Sequence, residues 1–453
     1  MPDDEQGKKV WRHVMPDTMA VHDENGTLVH VVDSIVPNTS RIILCGTAFS
    51  GANPIVSAIN EYNVAKALLG RVFRKPKHEP LAAAFAIART HIDEILADFV
   101  TPTPCMPFKE WIAGLRAKRI RPMLKAKAVL DLYGFRPRVD GRFTVFVKSE
   151  KLCGFQKTPH GLSPLETLID RIIQAPADPS HCIAGPPMKT MTHKLKQVWN
   201  HENHIFYASV SVDILQTWTD RVGPRGKTGV CVDYTMFDST HSLLSWALIE
   251  SLYTRAGFDD PDFLAVLEAW REPVGYATGK GWALKYFAPA MNASGRDDTS
   301  LVNALLNGIV IFFSMAAAYH SVSVVDLTPS HIAFAKENFD IAVVGDDSLA
   351  YVPLIPTDQH AAFAARLSAA ISEFGLDAAG DKIQVSDDPH EQVFLGMRLY
   401  ACAGRLLWGR TIGRALYKFG WKCSPLPPDP GAHMASEAKA ICAIQSHVPI
   451  LSD

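Results

Sequence analysis

The chain has 453 residues, 47% of them hydrophobic and 20% charged, and a formal net charge of −2. This length suits roughly two to four ordinary domains or one large multi-lobed enzyme. The composition excludes a disordered or collagen-like chain. The balanced charge does not announce a nucleic-acid binder, although a whole-chain sum hides local fields.

Eight cysteines are scattered from Cys45 to Cys442 without a CxxC pair. No zinc is expected from this spacing. The thiols suit a reducing compartment, where they serve as small apolar side chains. The first residues are acidic and polar and do not read as a signal peptide. The longest apolar stretch, 304–319, is short for a membrane span and carries Asn307. It reads as a buried helix, and no transmembrane segment is expected.

Strand-like runs fall at 26–33 and 40–45. An amphipathic helical pattern with a basic end follows at 60–74, then helical patterns at 81–100 and 108–133, separated by Pro102, Pro104 and Pro107. From Lys109 to Lys151 there are twelve Lys or Arg against four Asp or Glu. Taken alone, such a run is most often an ordinary solvated face. Residues 142–150 alternate as a strand, and 171–176 form a second extended piece. Residues 189–199 read as helix, and 229–232 as a core strand ending at Asp233. Helices are expected at 240–254, capped by Ser239 or Thr240, and at 260–270.

A hairpin is expected around Gly279, Lys280 and Gly281. Further on, Phe363, Leu367, Ile371 and Phe374 fall at helical spacing. Residues 382–385 and 392–400 read as strands. The basic stretch 405–422 holds Arg410, Arg414, Tyr417, Lys418 and Trp421, and a short Ala-rich helix follows at 432–445.

The chain turns on FDIAVVGDDSLAY, residues 339–351. Two apolar runs flank Gly345-Asp346-Asp347, the pattern of a β-hairpin. Adjacent carboxylates at a hairpin tip are costly unless a cation sits on them, and hard oxygen donors suit Mg²⁺. A lone Gly-Asp-Asp is most often an ordinary surface turn. Two further stretches change its weight: GVCVDYTMFDST at 229–240 and SGRDDTSLVN at 294–303. If the strands carrying Asp233 and Asp346 are neighbours, both carboxylates reach one point, and they repel unless a cation joins them. Strict strand alternation would put Asp233 and Asp238 on opposite faces, so the chain must turn between them. Thr299 and Asn303, four apart, share a helix face.

In this order the three stretches resemble motifs A, B and C of viral RNA-dependent RNA polymerases, with the positive-strand, tombusvirus-like group as the nearest resemblance. The resemblance is strong from about Lys148 to Tyr400. It implies an α+β fold, a right hand of fingers, palm and thumb, the palm an antiparallel sheet flanked by helices. Residues 1–228 would form an N-terminal extension and fingers, with motif F at about 142–176. Motif A of the palm would be 229–239, a fingers insertion with helices 240–288, palm motifs B to E 289–400, and the thumb and C-terminal segment 401–453.

The resemblance also implies roles. Asp233 and Asp346, with Asp347 as auxiliary, would bind two Mg²⁺ ions, Mn²⁺ being an alternative. Asp238, Ser294, Thr299 and Asn303 would recognise the ribose. Lys148, Lys151 and Arg171 would contact triphosphate and RNA, and the basic run from Lys109 to Lys151 would line their channel instead of being a solvated face. Lys382 would be the general acid for pyrophosphate departure. The reaction would be template-directed RNA synthesis, with single-stranded RNA template, RNA duplex product and ribonucleoside triphosphates as partners. A viral or host anchoring partner would bring it to membrane-associated sites in the host cytoplasm.

A reverse transcriptase or other palm-type nucleotidyltransferase is the alternative. Such enzymes carry an apolar or aromatic blocker near the Asp238 position and a different turn at Gly345, and this sequence has neither. A nonenzymatic RNA-binding or capsid-like role would need Asp233 and Asp346 to be dispensable. Trp408, Tyr417 and Trp421 are candidate platforms for unprimed initiation, although aromatic residues so spaced are more often core. Oligomeric state stays open.

Overall fold

A computed structural model describes residues 59–73, 76–148 and 169–413, except 210, 280, 289 and 379, and parts of 415–448. Before residue 59 and between 149 and 168 it describes short strands alone.

A five-stranded sheet runs in the order Ile205–Tyr207, Asp340–Val344, Asp347–Pro353, Lys227–Val232, Ile383–Ser386. The first pair is parallel and the others are antiparallel. The apolar runs read from the sequence are its middle strands, buried on both faces, which is why they do not alternate with polar residues. Their side chains nevertheless divide by parity. Val230, Val232, Ile341, Val343, Ala350 and Val352 join the main core. Cys231, Ala342, Leu349 and Tyr351 face the other way, against Leu215 and Trp218 of the helix Val212–Val222 and against Trp408.

The main core is built around the helix Thr299–His320, which is buried from Leu301 to Ala318. Among the described residues it is the one helix long and apolar enough to cross a membrane, and that apolar window is wholly buried in the protein. A helix that is apolar all round is one enclosed on all sides. Gly308 lets it approach Trp199: a Cβ there would lie 2.5 Å from the indole ring. A second sheet joins Ile172–Pro176, Phe143–Val147, Val274–Gly279 and Trp282–Phe287, in that order, to three short strands between residues 11 and 31.

The structure departs from the sequence reading in several places, beginning with the helices expected at 81–100 and 108–133, each of which is two. The helix expected at 189–199 begins at Asp178 and runs through Pro186 and Pro187. Two prolines remove helix amide donors, but the helix continues through them, with the run Ala184 to Met188 buried in the core. The helix Leu243–Arg255 is capped by Ser242, in a reciprocal box with Ser245, while the hydroxyls of Ser239 and Thr240 bond to the carbonyls of Met236 and Phe237. The strand expected at 392–400 is two strands, Val393–Phe394 and Met397–Cys402, split by left-handed Leu395 and Gly396.

Finally, Arg405–Arg410, from the basic stretch, pairs with Met397–Cys402. The boundary expected at residue 400 therefore falls inside a hairpin. Trp408 is core: it is 1% exposed and its indole N–H donates to the Thr219 hydroxyl at 2.7 Å. Arg414, Tyr417, Lys418 and the side chain of Trp421 lie outside the described residues.

Gly308→Val should cost about 1–3 kcal/mol by overpacking against Trp199. The urea midpoint of the variant checks this; an unchanged midpoint would show that the indole yields freely.

Candidate active site

Strand register brings the carboxylates together. Val232 pairs with Ser348, and Val344 pairs with Asp347 across the hairpin. Asp233, one residue past Val232, and Asp346 and Asp347 at the hairpin tip therefore emerge at the same end of adjacent strands. The hairpin turn has two residues, and Gly345, the first, takes φ +59°. A Cβ there would meet no atom within 4 Å, so the backbone conformation alone calls for glycine.

A cavity of about 490 Å³ opens at this end. Its lining combines four carboxylates, Asp233, Asp238, Asp346 and Asp347, with three cationic side chains, Arg71, Arg171 and Lys382. The Lys382 ammonium lies 2.5 Å from Asp233 Oδ2, and the Lys382 carbonyl accepts from the Asp233 amide at 2.9 Å. Both ends of this contact are thus fixed by the sheet.

Between Asp233 and Asp238 the chain does turn. Met236 is left-handed at φ +53°, and a 3₁₀ turn, Phe237–Ser239, brings Asp238 back to the cavity. Asn303 Nδ2 donates to Asp238 Oδ1 at 2.8 Å, and Asn292 Nδ2 donates to Asn303 Oδ1 at 2.6 Å. The backbone amide of Asn292 closes the ring on the Asp238 carbonyl at 2.9 Å. Burial pushes the Asp238 carboxyl up from 3.8 to about 6; nearby Asp346 adds to the rise, while Asn303, Arg171 and Arg71 oppose it.

The loop after Asn292 is held from behind. The Arg296 guanidinium lies between the rings of Trp246 and Trp270, 4.3 and 4.6 Å from their centroids. It also bonds to Asp298 at 2.9 and 2.6 Å, with both side chains fully buried. Gly295, at φ +119°, leaves no room for a Cβ, which would lie 2.8 Å from the Gln174 carbonyl. The Gln174 amide donates to the Ser294 carbonyl at 2.6 Å, which joins the strand Ile172–Pro176 to this loop.

Of the residues expected at the ribose, Asp238 and Ser294 line the cavity, and Asn303 reaches it through Asp238. The Thr299 hydroxyl accepts from the Gly295 amide at 3.2 Å and is equally close to the Ala293 and Arg296 carbonyls, so it braces the loop. Of the residues expected at the triphosphate, Arg171 lines the cavity. The Lys148 amide bonds the Arg171 carbonyl at 2.8 Å, but its side chain is not in the lining. Lys151 lies outside the described residues.

The basic run does not line this cavity: among its described residues none appears there. It is largely a surface face, with ion pairs Arg119–Asp178, Lys127–Asp131 and Arg136–Asp140. Arg71, which does line the cavity, was legible only as the basic end of a helix. It sits on a π-helical turn, Leu68–Val72, and its guanidinium donates to the Ile169 carbonyl at 3.1 Å, 98 residues away. No local pattern announces such a contact.

The donors at the strand ends are carboxylate oxygens, and Asp233 already holds one cationic group, the Lys382 ammonium. That chemistry fits a hard divalent cation. Among the described residues no three His, Cys, Asp or Glu side chains are gathered closely enough to hold one in the present arrangement.

The Asp238 shift has a stability consequence. Its folded pKa lies above its unfolded one, so the folded state keeps a proton that the unfolded state has released between about pH 4 and 6. Stability from this group therefore falls as pH rises through that window. Asp238→Asn should melt higher than the parent at pH 8, with the gap closing towards pH 4. Melting curves across that range check the sign; a gap that widens on acidification would refute it.

A comparison with curated proteins gives no match. Residues 188–401 match the family described as viral RNA-dependent RNA polymerase, a span that contains Asp233, Asp238, the Ser294 loop, the Gly345 turn and Lys382. The chain carries a viral RNA-dependent RNA polymerase domain and is an RNA-directed RNA polymerase.

Proposed function

We propose that the cavity is where a ribonucleoside triphosphate meets an RNA 3′ end, in an enzyme of the tombusvirus-like group. The observation that carries this reading is the convergence of Asp233 and the Gly345–Asp347 turn on one cavity that also holds Arg71, Arg171 and Lys382.

Polymerases of the matched family use divalent metal ions. Here Asp233 and Asp346, with Asp347 as auxiliary, would hold two, Mg²⁺ by preference and Mn²⁺ as an alternative. Bound cations would lower the pKa of the attacking hydroxyl and neutralise charge on the transferring phosphate.

The remaining chemistry belongs to the chain. Arg71 and Arg171 face a triphosphate that carries about four negative charges and fix its orientation. Asp238, held by Asn303 and Asn292, accepts from a ribose 2′-hydroxyl, with Ser294 beside it. Lys382 carries a proton at the cavity wall for the departing pyrophosphate. Its contact with Asp233 must loosen for that role, and an incoming cation supplies the competing charge.

The sheets support a division into lobes. Strands from 143–147, 172–176 and 274–287 share one sheet, which supports a fingers lobe drawn from residues 1–228 and 240–288, although Ile205–Tyr207 pairs in the five-stranded sheet instead. Motifs A to D would lie on and around the five-stranded sheet, and motif E in the three-stranded sheet of Val393–Phe394, Met397–Cys402 and Arg405–Arg410. The thumb begins after Arg410, beyond the hairpin that spans residue 400. Template RNA and duplex product are the macromolecular partners, and a separate anchoring partner would recruit the enzyme to membranes in the host cytoplasm.

Labelled ribonucleotide incorporation on single-stranded RNA tests the reading. Asp346→Ala should reduce product to background, and Asp238→Ala should narrow the preference for ribonucleotides over deoxyribonucleotides by at least about tenfold. Full activity in Asp346→Ala would sink the metal assignment. Lys382→Leu should lower kcat by about 10²-fold or more with a smaller change in KM, and Lys382→Arg should fall between. Equal kcat in all three would remove the proton-donor role.

A further inference from the structure

Asn307 lies in the middle of the buried apolar helix Thr299–His320, with no solvent exposure. Its amide is fully used. Oδ1 accepts from the Tyr234 hydroxyl at 3.0 Å, and Nδ2 donates to the carbonyls of Gly345 at 3.0 Å and Asp347 at 3.2 Å. The reverse orientation would set Oδ1 against two carbonyls, so the network fixes which way the amide points. Tyr234 follows Asp233 directly. Gly345 and Asp347 flank Asp346. One side chain, from a third element, therefore bonds to both chain segments that present the carboxylates.

We infer that Asn307 is a positioning residue that clamps the Gly345–Asp347 turn to Tyr234 and so sets the separation of the Asp233 and Asp346 carboxylates. The inference rests on the proposal that those carboxylates hold the cations. The need for a clamp is electrostatic. Asp346 and Asp347 at the tip repel Asp233 on the neighbouring strand, and a two-residue turn can rock away from it. Hydrogen bonds to the turn carbonyls resist that movement from behind, where no ligand competes for them. The chemistry is narrow: the position must accept one hydrogen bond and donate two. Leucine of similar size takes from the Tyr234 hydroxyl, the Gly345 carbonyl and the Asp347 carbonyl the bonds that each makes to Asn307 in the core. Aspartate keeps the acceptor but turns negative charge on both carbonyls.

The test uses the full chain and three variants, Asn307→Leu, Tyr234→Phe and Asp346→Asn. Each is assayed for single-nucleotide incorporation on an RNA template, for Mn²⁺ binding by electron paramagnetic resonance without substrate, and for thermal melting. A clamp predicts that folded Asn307→Leu loses about 10²-fold in kcat, with KM for the nucleotide within about threefold, because a misplacement near 1 Å costs about that much. Its Mn²⁺ affinity should fall at least about tenfold, a change that loss of fold stability alone would not produce at temperatures well below the melt. Tyr234→Phe should lie between it and the parent on both readouts.

Parent kcat and Mn²⁺ affinity in folded Asn307→Leu would overturn the inference. If Asn307→Leu fails to fold, Tyr234→Phe decides: parental values in both assays overturn the clamp, and a parallel loss in both supports it. Asp346→Asn separates the two readings. Should it retain both rate and Mn²⁺ binding, the cation assignment fails. Should it lose both while Asn307→Leu keeps both, the clamp alone fails.

Discussion

Two neighbouring strand ends that both present carboxylates repel each other, and the fold has to hold them there without a ligand. Two unit charges 4 Å apart near a protein surface interact by about 4 kcal/mol. The opposing force is burial. The strands behind Asp233 and Asp346 are apolar on both faces, and each fully buried Val, Leu or Ile side chain contributes about 1.5–3 kcal/mol. A few residues on each strand outweigh the repulsion at the tips. This explains why the sheet is flanked on one face by the helix Thr299–His320 and on the other by Leu215, Trp218 and Trp408. An exposed face would remove half of the force that holds the charges in place.

The loop after Asn292 is restrained in a different way. It has little apolar side chain of its own, so it is pinned by polar contacts: Arg296 between two tryptophans and on Asp298, Gly295 against the Gln174 carbonyl, and Thr299 across the loop. Breaking a buried ion pair leaves an unpaired charge in the core, which costs far more than the pair gains. Arg296 and Asp298 therefore act together as a latch on the loop's conformation, and the helices Leu243–Arg255 and Pro261–Arg271 are brought to it through Trp246 and Trp270.

What was legible in the sequence follows from this division. Asp233, Asp346, the long helix and the hairpin are read from runs of apolar residues that end at charges, because burial on both faces writes an uninterrupted pattern. Asp238 was legible as a turn away from the strand, since period-two alternation could not place it. The clamp and the latch were not legible as such. Asn307 was visible as a polar interruption, but its partners lie 73, 38 and 40 residues away. The helix through Pro186 and Pro187 was cut short because proline is a local stop signal that core packing overrode. The basic run misled for the opposite reason: a high local count of Lys and Arg says nothing about whether acidic partners such as Asp178 lie close in space.

The charges of the cavity also come from different parts of the chain. All four carboxylates and Lys382 lie within residues 188–401, the span that matches the polymerase family. Arg71 and Arg171 lie before it. The acidic side is thus fixed by strand ends and their pairing, where spacing in the sequence is nearly spacing in the fold. The arginine side is fixed by a π-helical turn and a strand from an earlier lobe, joined to the rest through Ile169 and Gln174. Asp238 feels both, its carboxyl raised by burial and Asp346 and lowered by Arg171 and Arg71. Movement of residues 71 and 171 relative to the sheet would therefore change the charge that surrounds the residue proposed to read the ribose. The matched span alone contains the acidic half of that surrounding and not the arginine half.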